Sequence, residues 1–181
     1  MEERSGVLIL GVGNRLRGDD GFGSCLAEAL SWCGVRGADV EWLDTMHVYA
    51  VEYLRGRRLV VVLDVVYVEG AEPGTIVFEE YDVSSLTEDI ASEALETMAA
   101  HVFTPLHMLI IARELGVFNG RFILAGIVPE SLEPRREVVT ETLRRRLPEY
   151  YGRLKALLEA EGVSMPSTRC VLEAFDRACR V

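Results

Sequence analysis

The segment Arg57–Val66 limits the possible folds of this chain more than any other. It reads RRLVVVLDVV, and its apolar residues, mostly valines, are almost continuous. Such a run is typical of a strand that is buried on both faces, as in a parallel sheet covered by helices. Asp64 lies inside the run, and a carboxylate in apolar surroundings is costly unless it is paired, protonated or metal-bound. The segment predicts a central strand that carries a functional candidate.

Apolar strand-like runs alternate with helical patterns along the rest of the chain. The connection before Thr75–Glu79 is too short for a helical crossover, so we expect this strand at an edge and antiparallel. The alternation predicts a single three-layer α/β/α domain with a mainly parallel twisted sheet of about five strands. The other strands are predicted at Val7–Leu10, Val40–Leu43 and Arg121–Val128.

The helical patterns divide the chain between a domain and a tail. We assign residues 1–162 to the α/β domain and residues 163–181 to a C-terminal tail that packs on it or extends from it. A short helix is expected to end this tail. Helices are predicted at Gly21–Trp32, at Val48–Leu54, within 84–100, from Thr104 to about Glu114 with Gly116 at its end, and at Arg136–Gly162 with an interruption near Pro148.

Charge and hydropathy exclude several functional classes. The 181 residues carry a formal net charge of -10, so broad binding to nucleic acid is not expected. The N-terminal apolar run is too short for a signal or transmembrane segment. We therefore expect a cytoplasmic protein with no membrane partner.

The four cysteines show no C-x-x-C spacing, so neither a zinc ribbon nor a dithiol redox motif is predicted. Our expectation is that they are buried or incidental thiols. The alternatives are a bond between Cys170 and Cys179 or a bond from the tail back to Cys25 or Cys33, which is uncommon in a cytosol.

A glycine-rich turn with two acids follows the first strand. Gly11-Val12-Gly13-Asn14 leads to the adjacent carboxylates Asp19 and Asp20. In open α/β sheets, ligands bind beyond the carboxyl ends of the strands. A dinucleotide site is disfavoured, because Leu16 stands where a third glycine is needed and the acids would repel a pyrophosphate. We expect a cation near Asp20, and we expect Asp19 to cap or orient the first helix.

Asp20 and Asp64 are predicted to converge, because the ends of neighbouring parallel strands meet at one edge of a sheet. A structural alternative for Asp64 alone is a strand-end residue that caps the following turn. A metal site would need a further ligand, and a neutral imidazole suits nickel or zinc. Position alone does not decide between His101 and His107.

Four segments resemble the hydrogenase maturation proteases, endopeptidases that trim the C-terminal extension of the large subunit of NiFe hydrogenases. The resemblance extends over roughly residues 6–160. The segments are the glycine and aspartate motif at 11–23, Leu59–Val66 with its strand-end Asp64, the segment around His101, and GIVPESLEP at Gly126–Pro134.

The resemblance implies a site for nickel. In this family a carboxylate after the first motif, the strand-end aspartate and one histidine bind a metal in crystals. The resemblance assigns these ligand roles to Asp20, Asp64 and His101. We prefer His101 to His107 because the stretch from His101 to Pro134 then matches the family pattern without a gap. The nickel is carried by the substrate, and other divalent metals stand in for it in crystals.

The resemblance also implies the reaction and the partner. Asp20 and Asp64 are the expected catalytic residues of an aspartic-type endopeptidase. One of them could act as general base. Alternatively, a metal could position the peptide, polarise its carbonyl or activate water. The expected partner is the nickel-containing precursor of a NiFe-hydrogenase large subunit, bound transiently by a monomer.

One loop departs from the family pattern. Many members follow the second strand with Asp-Gly-Gly, whereas this chain reads Asp44-Thr45-Met46-His47. His47 is expected to be a surface residue, with a role as an extra ligand as the alternative. The altered loop leaves open a second hypothesis, a non-catalytic paralogue that binds metal or precursor. A dinucleotide enzyme is a distant third.

Overall fold

A computed structural model describes residues 5–83, 104–133 and 139–180 of the chain. The predicted helix within 84–100 lies outside the described residues. None of the described helices is both long enough and apolar enough to cross a membrane.

Five strands form one mixed sheet. They are β1 (Val7–Val12), β2 (Asp39–Leu43), β3 (Leu59–Val65), β4 (Ile76–Asp82) and β5 (Arg121–Ile127). Their order across the sheet is β2-β1-β3-β5-β4. All neighbouring pairs are parallel except β4 and β5, which are antiparallel. The predicted parallel sheet with an antiparallel edge strand is confirmed.

Helices cover both faces of the sheet. Residues of β3 alternate between two hydrophobic clusters, with Val61 and Leu63 in one and Val60 and Val62 in the other. The helices are α1 (Phe22–Cys33), α2 (Val51–Leu54), α3 (Pro105–Glu114), α4 (Glu141–Ala160) and α5 (Thr168–Ala178). The first cluster includes α1, α4 and α5, and the second includes α2 and α3, which confirms the three layers.

The long helix α4 differs from its prediction at two points. It begins at Glu141 rather than Arg136, and it continues through Pro148 without interruption. Proline removes one backbone hydrogen bond from a helix. Pro148 is exposed, whereas Leu147 and Tyr150 beside it are buried in the core. Burial of the inner face therefore outweighs the missing hydrogen bond.

The tail is bound covalently to the first helix. Cys33 at the end of α1 and Cys170 in α5 form a disulfide, with their Cα atoms 6.0 Å apart. The expectation of unpaired thiols is therefore wrong for these two residues, and the bond back to Cys33 is the alternative that the structure adopts. It forms because α5 packs along α1, where Phe175 lies against Phe22. Cys25 and Cys179 are free and buried.

We predict that reduction of this disulfide destabilises the fold by about 2 to 4 kcal/mol, because the bond closes a long loop in the unfolded chain. Thermal unfolding of the wild type with and without dithiothreitol measures the effect. Cys33→Ser should melt at the temperature of the reduced wild type and should not respond to the reductant. Equal melting temperatures for the oxidised and reduced wild type would contradict the prediction.

Candidate functional site

The predicted acids meet at the carboxyl edge of the sheet. Strands β1 and β3 are adjacent and parallel, with Gly11 paired with Leu63. Asp64 follows Leu63 directly, and Asp20 lies in a 3-10 turn, Gly18–Gly21, just beyond β1. Both side chains line one cavity of about 410 Å³. The structure therefore brings Asp20 and Asp64 together.

Two glycines allow this close approach. Gly13 has φ of 131°, and a Cβ there would overlap the backbone oxygen of Asp20. A Cβ on Gly23, in the first turn of α1, would overlap the backbone oxygen of Leu63. A side chain at either position would push the turn or the helix away from the strand ends. The glycines of the first motif thus serve to seat Asp20 beside the end of β3.

Asp20 is held by the turn that precedes it. Its Oδ2 accepts a hydrogen bond of 2.9 Å from the backbone N–H of Asn14. The Asn14 side chain in turn accepts from the backbone N–H of Leu16 at 2.8 Å. These bonds fix one oxygen of the Asp20 carboxylate relative to the end of β1.

Asp64 is an acid in surroundings that disfavour its charge. Burial raises its pKa to about 8. The hydrogen bond that its Oδ1 accepts from the N–H of Val65, at 2.8 Å, opposes the rise, and the negative charge of Asp20 adds to it. An acid with a shifted pKa in a cleft is typical of functional sites. A cation bound between the two carboxylates would remove their repulsion and favour their ionised forms.

Asp19 has a structural role that the sequence analysis missed. Its side chain is fully buried and accepts four hydrogen bonds, from the backbone N–H groups of Glu130, Ser131 and Thr140 and from the Thr140 hydroxyl. Neither the 3-10 turn nor α1 has a side-chain cap, so the capping half of the prediction for Asp19 is wrong. A role of Asp19 in orienting α1 stays a prediction. Asp19 instead joins the first motif to the loop of the GIVPESLEP segment and to the start of α4.

The three histidines differ in their positions relative to the cavity and to the described residues. His101 lies outside the described residues. His107 is buried in α3, where its Nδ1 accepts from the N–H of Thr104 at 2.9 Å in a capping box. His107 therefore caps a helix and is not among the residues that line the cavity. His47 is exposed, and its ring lies 6.0 Å from that of Tyr49.

No group of three or more His, Cys, Asp and Glu side chains in the described part of the chain is placed to hold a metal ion. Asp20 and Asp64 supply two carboxylates, and the third predicted ligand, His101, lies outside this part. Carboxylate oxygens and imidazole together form a donor set suited to a divalent ion such as nickel.

Two further features of the site were not predicted. A second cavity of about 330 Å³ adjoins Asp64 and is lined mainly by apolar residues, including Tyr67, Val68 and Leu124. Arg15, in the first motif, forms an ion pair with Glu28 and places its Nε 3.8 Å from Asp44, which lines the first cavity. It also donates to the carbonyl of Ala178, so it connects the tail to the altered loop.

Comparison with known proteins gives the family. Residues 38–156 match the family model described as hydrogenase maturation protease, HycI. The chain belongs to the hydrogenase maturation protease family, which is a family of peptidases. The resemblance found in the sequence is thereby confirmed.

Among similar proteins, the hydrogenase expression/formation protein HupD of Thiocapsa roseopersicina is 33% identical over 129 residues, 70% of this chain. The match spans just over half of that relative's length, 56%. The hydrogenase 2 maturation protease of Escherichia coli strain K12 is 26% identical, over 87% of this chain and 93% of the relative.

Solved structures share the fold. A hydrogenase 2 maturation peptidase from Thaumarchaeota archaeon SCGC_AB-539-E09 is 32% identical with a TM-score of 0.59, over 88% of this chain and 99% of that one. The hydrogenase maturating endopeptidase HybD from E. coli has a TM-score of 0.65 at 24% identity, over 92% of this chain and 99% of that one.

We predict that Asp64→Asn and Asp19→Asn have opposite effects on the stability of the fold. The pKa of Asp64 is higher in the folded than in the unfolded state, so the cost of ionising it grows as the pH rises from about 4 to about 8. Asp64→Asn should therefore stabilise the metal-free protein at pH 8, by on the order of 2 kcal/mol or more. This gain should vanish near pH 4.

Asp19→Asn is the matched control, since it makes the same substitution at an aspartate that the protein satisfies. The asparagine amide cannot accept all four hydrogen bonds, so this variant should be less stable by about 2 kcal/mol. Denaturant unfolding of both variants and the wild type at pH 4 and pH 8 provides the test. A less stable Asp64→Asn variant at pH 8 would contradict the raised pKa of Asp64.

Proposed function

We propose that this protein is an endopeptidase that removes the C-terminal extension of a NiFe-hydrogenase large-subunit precursor after nickel insertion. The observation that carries the proposal is the shared cavity of Asp20 and Asp64 at the carboxyl edge of the sheet. The family supports it, since its members are hydrogenase maturation proteases. The proposal includes a monomeric enzyme that acts in the cytoplasm.

Nickel belongs to the substrate in this proposal. Asp20, Asp64 and His101 contact the nickel that the precursor already holds, and the precursor without nickel is not recognised. The carboxyl of Asp64 supports this role, because it is half-buried beside a second acid, and a cation would offset both charges. Recognition of the metal thus aligns the adjacent peptide bond with the two carboxylates.

The peptide bond is hydrolysed by water in this scheme. A carboxylate oxygen of Asp64 or Asp20 takes a proton from water as the water oxygen bonds to the scissile carbonyl carbon. The same acid returns the proton to the amide nitrogen as the C–N bond breaks. The hydrogen bond from Asn14 N–H keeps Asp20 in position during this exchange. The products are the mature large subunit and the released peptide.

A second candidate function is a non-catalytic module that binds metal or precursor. The altered loop is the observation that favours it. Asp44, Thr45 and Met46 all line the cavity, so side chains occupy the region where many family members have glycines. A module of this kind would bind the nickel-containing precursor and leave its length unchanged.

We predict that substitution of His101 affects cleavage, whereas substitution of His107 affects stability. His101→Ala should abolish cleavage of the nickel-loaded precursor and leave the melting temperature unchanged, because His101 is proposed to contact the nickel. His107→Ala should lose the capping box, at a cost of about 1 kcal/mol, and retain cleavage. Mass spectrometry of the precursor and thermal unfolding of each variant measure both effects.

Asp64→Asn should also abolish cleavage, whereas Asp176→Asn is a control at an exposed aspartate in α5 that does not line the cavity. Full processing by both Asp64→Asn and His101→Ala would overturn the proposed roles. A wild type that binds the nickel-loaded precursor without shortening it would favour the binding module.

A further inference from the structure

Exposed apolar side chains are concentrated at the edge of the sheet that holds the acidic cavity. Seven large hydrophobic residues are exposed in the described part of the chain. Five of them follow the carboxyl ends of β1, β2 and β3, and two lie elsewhere, in α1 and after α3. We call these five the apolar rim: Leu16, Val48, Tyr49, Tyr67 and Val68.

The composition of the apolar rim is unusual for a free surface. Isolated exposed hydrophobic residues are common, but a group of them at one edge indicates an interaction site. Tyr49 and Tyr67 are 78% and 79% exposed. Tyrosine is enriched among the residues that dominate protein–protein binding energy, because its ring combines a large contact area with a polar end.

The apolar rim is continuous with the site. Tyr67 and Val68 line the second cavity, and Asp64 lines both cavities. The loops after three neighbouring strands supply the rim, so it lies at the same edge of the sheet as the acids. A partner that covers the rim would also close the cavities from water.

We propose that the apolar rim is the docking surface for the folded, nickel-containing precursor. This inference rests on the proposed function and names the surface that it requires. Cavities of about 410 and 330 Å³ hold only a short peptide segment. The precursor chain continues on both sides of the cleaved bond, so it crosses the rim as it enters and leaves the cavity.

Charge favours this occupant over a second copy of the chain. Two copies facing each other through the rim would bring together the acids Asp20 and Asp44 of both, in a protein of formal net charge -10. A precursor that presents a nickel ion at its surface supplies the opposite charge at the centre of the same contact. The rim then contributes the apolar part of the interface.

The apolar rim contributes binding energy away from the bond that breaks. Interactions that are equal in the ground state and the transition state change KM and leave kcat unaltered. Substitutions in the rim should therefore raise KM, whereas substitutions of the acids lower kcat. Tyr49 and Tyr67 lie on different loops and should act additively.

The test is steady-state cleavage of the nickel-loaded precursor by Tyr49→Ser, Tyr67→Ser and the double variant. The matched control is Leu115→Ser, because Leu115 is also an exposed apolar residue, at 63%, and lies outside the rim. It follows the last residue of α3, whereas only the first residue of that helix, Pro105, lines both cavities. We expect KM to rise about tenfold for Tyr67→Ser and further for the double variant. The value of kcat should stay within about twofold, and Leu115→Ser should match the wild type.

Wild-type KM values in all rim variants would overturn the docking surface and leave the proposed function intact. A dimeric wild type that becomes monomeric in the rim variants at unchanged KM, seen by sedimentation, would assign the rim to self-association and also overturn it. If neither the wild type nor Leu115→Ser cleaves the nickel-loaded precursor, the proposed function fails, and the docking surface fails with it.

Discussion

The carboxyl group of Asp64 lies at the end of a strand that is apolar on both faces, and the site is organised around the cost of burying it. Burial raises the pKa of Asp64 to about 8, and the nearby charge of Asp20 adds to the rise. A fold selected only for stability would place an apolar residue there. The substrate that we propose carries a cation, which binds the pair most strongly when both acids are ionised. The site therefore selects the precursor that contains nickel over the precursor that lacks it.

The surrounding residues hold the two acids in this arrangement. Gly13 and Gly23 allow the turn and α1 to contact the strand ends, and Asp19 binds the turn to the loop before α4 through four hydrogen bonds. Arg15 and the Cys33–Cys170 disulfide connect the tail to the same region. Two adjacent aspartates thus have different roles, since Asp19 is satisfied by the protein and Asp20 faces the cavity.

Local patterns and topology account for the parts that could be predicted. The valine-rich β3 predicts a parallel sheet, and parallel strands in turn predict that Asp20 and Asp64 meet at one edge. The hydrogen bonds of Asp19 to the loop before α4 and the unbroken α4 could not be predicted, and the Cys33–Cys170 bond was only one of several alternatives. Each depends on contacts between segments that are distant in the sequence. The apolar rim was missed for the same reason, since its residues come from three separate loops.

If the acid pair contacts a metal carried by the substrate, cleavage depends on nickel in the precursor. One large-subunit precursor is prepared with and without nickel, and the wild-type protein is added to each. We expect removal of the C-terminal extension from the nickel-loaded precursor alone, detected by mass spectrometry. Equal cleavage of both forms would contradict it.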